Sequence, residues 1–261
     1  MGASDPRESY LSLISIDKSH INLSPPIIFL FGGAIDPPTK SVRGALYNHI
    51  LLNESVLSES LVIPEDFKDW LNDSVYPDLL SFESDLAETS SLVIIALESA
   101  GAIAELGSFS VNSTLNKKVI IIISRHHHEQ ESFITLGPLR LLQTRNIIAY
   151  PYDHKCLGDS LNDYLEDIVD NIKIYLDEID KTESFNVDNN GHAALLVYEL
   201  IVIFRALKLS EIQRYLKLLS IDKSLTVIKR FLFLLDKLSL VSKKRLGRID
   251  YYVSLKTEQR V

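Results

Sequence analysis

Two runs in this chain are apolar without a break, LVIIAL at 92–97 and VIIIIS at 119–124. A strand with one face in water alternates apolar and polar residues, so an unbroken β-branched run belongs to a strand covered on both faces. That is the place of a central strand in a parallel sheet with helices on either side. Three further runs, IIFLF (27–31), LVI (61–63) and NIIAY (146–150), are set apart from these by amphipathic stretches long enough for helices. The expected fold is therefore α/β, a doubly wound five-stranded parallel sheet of flavodoxin-like order.

Helices are expected at 41–52, after Pro37-Pro38, from Pro64-Glu65-Asp66, and at 79–90. Beyond the fifth strand, Leu161, Leu165, Ile168, Ile172, Tyr175 and Ile179 are spaced 4-3-4-3-4. This is one stripe of a helix of about twenty residues, which closes the sheet domain or pairs with another subunit. Residues 1–24 are polar and read as an arm, and the Asn/Asp-rich stretch 182–191 reads as a linker. The sheet domain then spans 25–181 and a second domain 191–261. In the second, helices at 192–206, 210–219 and 224–238 precede two β-prone arms around a basic tip, Lys243-Lys244-Arg245-Leu246-Gly247-Arg248. Three helices and a hairpin describe a winged helix.

The net charge of −8 conceals a division along the chain. Residues 191–261 hold 14 Lys+Arg against 6 Asp+Glu, and residues 1–190 hold 13 against 29. Such asymmetry points to a polyanionic partner for the C-terminal part, or to mutual attraction between the two domains. With no apolar run of the roughly eighteen residues that a membrane span needs, and no basic-then-apolar start, the expectation is a cytoplasmic protein without a membrane partner. The single Cys156 excludes an intrachain disulfide framework, and Trp70 reads as a packing residue.

In a sheet of this order a ligand lies beyond the carboxyl ends of the strands, where the first and third are neighbours. The first ends in Gly32-Gly33 and the third in Glu98-Ser99-Ala100-Gly101, so main chain can approach a ligand at Gly32, Gly33 and Gly101. Glu105 is expected in the first turn of the following helix, where the dipole keeps a carboxylate ionised, as a nucleophile requires; a first-turn Glu is also a common cap. Ser99 and Ser108 are candidate hydroxyl contacts, with capping the commoner use. His126-His127-His128 reads as an exposed loop, because three adjacent side chains cannot converge on one ion, and no metal site is expected. Arg140 fits either a phosphate contact or a surface ion pair. Asp36 and Arg43 stand near the first loop with nothing further to recommend them.

The FxGG turn, the segment LLSFESDLAETSSLVIIALESAGAIAELGSFS (79–110) and FITLGPLRLL (133–142) together resemble the effector proteins of retrons, of the Ec86 and St85 type. More broadly they resemble the nucleoside 2-deoxyribosyltransferase-like N-glycosidases. The likeness covers residues 27–145 by motif and the remainder by architecture. It implies that Glu105 is the nucleophile at an anomeric carbon, that Glu83 is the carboxylate near the leaving base, and that Gly32 and Gly33 pass beneath the ribose, with Glu98, Ser99, Gly101 and Ser108 contacting substrate. Where the transferases often keep an Asp six residues before the nucleophile, this chain has Ser99, which argues against strict deoxyribosyl transfer. The resemblance further implies a toxic antiphage effector that cleaves NAD or a related nucleotide without a cofactor, works as a homo-oligomer, and is restrained by the retron reverse transcriptase and its multicopy single-stranded DNA and RNA. Lys243, Lys244, Arg245 and Arg248 would meet that nucleic acid. The alternatives are a metabolic nucleoside deoxyribosyltransferase and a non-catalytic nucleotide-sensing DNA-binding regulator.

Overall fold

The computed structural model describes residues 5–65, 67, 75–151, 161 and 163–261, so Asp66, Trp70 and Cys156 lie outside the described residues. By internal contacts the chain divides into two units, one of Pro25–Asp66 with Ser90–Ile179, the other of Met1–Ser24, Phe67–Thr89 and Asp180–Val261.

The first unit holds the five parallel strands Ile28–Phe31, Leu61–Val62, Leu92–Ala96, Val119–Ser124 and Ile147–Tyr150, each within a residue or so of its expected limits. Their spatial order is second, first, third, fourth, fifth. The direction of winding thus reverses between the first and third strands, which pair in register from Ile28 opposite Leu92 to Phe31 opposite Ile95. Every residue of the third and fourth strands is buried, as their unbroken apolar runs require. The helix after the fifth strand is shorter than the twenty residues expected, running Leu165–Glu178. Its stripe still does the work foreseen for it: Leu165, Ile168, Ile172 and Tyr175 are buried in the sheet core beside Leu161, and each such side chain is worth roughly 1.5–3 kcal/mol.

The second unit follows the expected order closely. The helices Asn190–Phe204, Leu209–Leu218 and Leu225–Lys237 lead into a hairpin of Val241–Leu246 and Ile249–Ser254. The short strand Ala206–Leu207 pairs with the second arm, completing a three-stranded antiparallel sheet. Leu246 stands opposite Ile249, so the loop is the two residues Gly247 and Arg248, and Gly247 has the positive φ of 62° that tight hairpin loops demand.

Two segments change sides relative to the sequence expectation. Of the segment read as an arm, residues 5–24 are described and pack within the C-terminal unit: His20–Asn22 pairs antiparallel with Thr182–Ser184, and Leu11 and Ile21 are buried in that unit's core. The helix Leu79–Thr89, expected as a sheet-domain helix, also belongs to that unit. Its Asp85 is buried and bonded to Arg230, with Nη2 at 2.5 Å and Nε at 3.0 Å. Asn190 reaches both Glu88 and Asp85.

The closest approach in this packing is at Gly191, where a Cβ would stand 2.3 Å from the carbonyl carbon and oxygen of Glu88 and 2.6 Å from the Thr89 nitrogen. Backbone on both sides leaves nothing that can swing away. Gly191→Ala is therefore expected to destabilise the protein by about 3 kcal/mol, read as a lower urea midpoint. An unchanged midpoint would mean that the two helices do not touch here.

Candidate active site

The loop after the first strand is built around one carboxylate. Glu98, just beyond the third strand, accepts hydrogen bonds from the backbone nitrogens of Gly33 (3.0 Å) and Arg43 (3.0 Å) on Oε1 and of Val42 (2.6 Å) on Oε2. It thereby ties the first loop to the start of the helix Val42–Asn53, whose exposed N–H groups favour an anion. Ser41 caps the same helix, accepting from Gly44 N at 2.7 Å while donating to the Ala34 carbonyl at 2.5 Å. The glycines serve this packing. At Gly32, with φ 149°, a Cβ would come within 2.9 Å of the Cβ atoms of Ala96 and Arg43, and at Gly33 within 2.9 Å of Ser41 and 3.0 Å of Glu98. In Glu98→Gln an amide would face an N–H that now meets a charged oxygen. The expected loss is about 2 kcal/mol of stability, seen as a lower melting temperature; an unaltered one would deny Glu98 its organising role.

Arg43 gains a function that sequence did not reveal. Its side chain is buried, with Nη1 donating to Glu65 Oε1 at 2.5 Å and to the Gly33 carbonyl at 3.3 Å, while Nη2 pairs with Glu65 Oε2. The partner lies 22 residues away beyond the second strand, so only the folded sheet brings the two together.

The helix after the third strand runs Ala100–Ser110, with Ser99 as its cap accepting from Ala102 N at 3.1 Å. Because the cap fixes the start at Ala100, Glu105 is the sixth helical residue and stands in the second turn, not the first, where the dipole is weaker. It is half-buried. Its Oε1 lies 4.0 Å, and Ser99 Oγ 3.8 Å, from the point where a Gly101 Cβ would be, so carboxylate and hydroxyl converge on an exposed glycine. Ser108 is exposed further along the helix.

A cleft of about 590 Å³ opens where the winding reverses. Gly33, Lys40 and Ser41 come from the first loop, Glu98, Ser99 and Ile103 from the third, and Ile123, His127, Gln130 and Ile134 from the fourth strand and the loop after it. Gly32, Gly101, Glu105 and Ser108 are not among its lining residues. At about 100° per residue, Glu105 is about 140–160° around the helix from Ala100 and Ile103, which do line the cleft. His127 was expected in an exposed loop. It belongs to a short helix, Arg125–His128, capped by Ser124, and this turn carries it to the cleft wall. His126 instead bonds Gln130 at 2.8 Å. Arg140 is exposed and lies outside the cleft lining. Glu83 rides half-buried on Leu79–Thr89, in the other unit. Among the described residues no group of His, Cys, Asp or Glu is arranged to hold a metal ion.

A family model described as "STM3845 retron effector protein" matches residues 39–243. The chain belongs to this retron effector family. It is 40% identical over 84 residues to the Escherichia coli "Retron Ec86 putative ribosyltransferase/DNA-binding protein", a match covering 32% of this chain and 27% of that protein. It is 25% identical over 182 residues to the correspondingly described protein of retron Ec73, also from Escherichia coli, covering 63% of this chain and 54% of the relative. The chain thus spans between a quarter and just over half of the length of these relatives.

In this retron effector the basic hairpin is open to solvent. Lys243, Lys244, Arg245 and Arg248 are all exposed, with Asp250 3.9 Å from Lys243 and from Arg245. The third helix of the unit, Leu225–Lys237, is more committed. Besides Arg230 on Asp85, Phe233 packs edge-on to Tyr76 and Phe82, and the Arg230 guanidinium lies 4.9 Å from the Tyr76 ring. Burial, followed by the neighbouring Asp85 charge, pushes the Tyr76 hydroxyl far above the usual phenol range. Of the three basic residues on this helix, Lys229, Arg230 and Lys237, Lys229 is the exposed one. Among the described residues no helix is long and apolar enough to cross a membrane.

Proposed function

We propose that the sheet unit is an N-glycosidase acting on NAD or a related nucleotide, with Glu105 as the carboxylate at the anomeric carbon. The reading is supported by the position of Glu105, beside Gly101 at the start of the helix that follows the third strand, in a chain similar to two proteins described as "putative ribosyltransferase/DNA-binding protein". As the C1′–N bond breaks, its electron pair leaves with the base, and the sugar acquires oxocarbenium character that an adjacent carboxylate traps or stabilises. Water then completes hydrolysis. Nicotinamide departs from NAD as a neutral base and needs no proton, so this substrate asks least of the site.

The C-terminal unit is read as a winged helix that meets a polyanion, the retron's multicopy single-stranded DNA and RNA held by the reverse transcriptase, which restrains the effector until infection. Its order of elements and its exposed basic tip support that reading. A cytoplasmic setting and a homo-oligomer belong to the same proposal. The test is incubation of the full chain with NAD and with purine nucleotides, following free nicotinamide or base by chromatography. Release from either supports the enzyme. Silence with both, for protein freed of nucleic acid, favours a non-catalytic regulator.

A further inference from the structure

The fifth strand, Ile147–Tyr150, is one edge of the sheet, and among the described residues it pairs with the fourth strand alone. The outer row of N–H and C=O groups on such a strand is a template for another chain, and proteins blunt it with lysine, proline or a bulge. The run Ile147-Ile148-Ala149-Tyr150 carries neither charge nor proline. Beside it lies a groove of about 460 Å³, lined by Ile120 and Ile148 of the sheet and by Asn171, Ile174 and Tyr175 of the helix Leu165–Glu178. Asn171 Nδ2 donates to the Tyr150 hydroxyl at 3.4 Å near one end, and Arg145 pairs with Glu178 at 3.4 Å near the other. Strand and helix therefore run antiparallel along the groove.

The helix gives this groove its sign. At about 100° per residue, Asp167, Asp170, Asp177 and Glu178 all lie within about 60° of Ile174, which is itself 56% exposed. All four carboxylates are exposed, and Lys173, the one lysine of the helix, is engaged by Glu54 at 2.7 Å and Asp170 at 3.6 Å. Burial and then the charge of Asp167 push the Tyr150 hydroxyl above the usual phenol range, so that carboxylate faces the groove's end. A second copy of this chain would bring the same carboxylates to the edge, and a polyanion would meet like charge. Lysine and arginine suit both features, an aliphatic stem for Ile174 and a charged head for the acids. We propose that this edge docks an extended basic segment of another protein. The segment adds to the sheet as a further strand, with alternate stems over Ile174 and their charges on Asp167 and Glu178.

The probe is a fluorescein-labelled peptide of alternating lysine and valine, its anisotropy followed as the full chain, freed of nucleic acid, is added. It is expected to bind at least about tenfold more tightly than a peptide of alternating glutamate and valine, whose charges meet their like. Only one edge of an added strand faces the sheet. N-methylation of one alternate set of peptide amides should therefore abolish binding, and N-methylation of the other set should spare it. Hydrogen exchange should slow within Ile147–Tyr150 when the peptide is present. Ile174→Lys, at an exposed position, should weaken binding about tenfold or more with an unchanged melting temperature. Equal affinity for the two charge types, equal affinity for the two methylated forms, or slowed exchange confined to the helix would reduce the contact to charge adhesion and overturn the proposal. So would self-association of the full chain that Ile174→Lys disrupts, which would make the edge an interface between copies.

Discussion

Glu105→Gln is expected to lower base release from NAD or a purine nucleotide by about 10³-fold or more while leaving the melting temperature nearly unchanged. The substitution keeps shape and removes charge. A neutral amide neither bonds to an oxocarbenium carbon nor offsets its positive charge, and withdrawal of a single electrostatic stabiliser from a glycosyl-transfer site typically costs two to three orders of magnitude. Loss of a nucleophile adds to this. The side chain is half-buried near the exposed Gly101, and an amide of the same shape fills the same space. A variant that retained more than about a tenth of the parent rate would remove Glu105 from the chemistry. Substrate affinity measured by calorimetry should change little, since the charge matters most when the sugar becomes cationic; a large fall in affinity with an unaltered rate would make Glu105 a binding group.

The sheet was legible because its signal is local. An unbroken run such as VIIIIS can be satisfied only between two covering layers, and the spacing of Leu165, Ile168, Ile172 and Tyr175 can be satisfied only by a helix on a core. What sequence misplaced depends on distant partners. Nothing in LLSFESDLAET says that Asp85 will meet Arg230, a residue 145 positions later, yet that buried pair and the close approach at Gly191 draw the helix into the C-terminal unit and carry Glu83 with it. The same holds for Arg43, whose role appears only once Glu65 is beside it. Glu98 shows a subtler limit. The family resemblance implied a substrate contact, but a carboxylate facing three backbone N–H groups is first an organiser of the loop. The three histidines are exposed as expected, and what escaped was that one of them, His127, lines the cleft. The available signal was its position one short turn after a central strand, at the end of the sheet where ligands bind.

Replacing Lys243, Lys244, Arg245 and Arg248 together by alanine should weaken binding to duplex-containing DNA by about 10³-fold at low salt, with no change in thermal stability. All four side chains are exposed, and the turn they surround needs only Gly247. Neutralising up to four phosphate contacts lowers the slope of log affinity against log salt by about 3.6, so the deficit should shrink as salt is raised. Sequence preference should be weak before and after. The helix that would enter a groove has Arg230 locked on Asp85 and Phe233 packed against Tyr76 and Phe82, leaving few groups to read base edges. Lys229→Ala, on the exposed side of that helix, separates the two modes. If the hairpin alone grips the backbone, the change costs at most the share of one phosphate contact, equally for every sequence. A loss confined to one sequence would mean that the helix reads bases after all, and an undiminished salt slope in the hairpin variant would mean that the polyanion is held elsewhere.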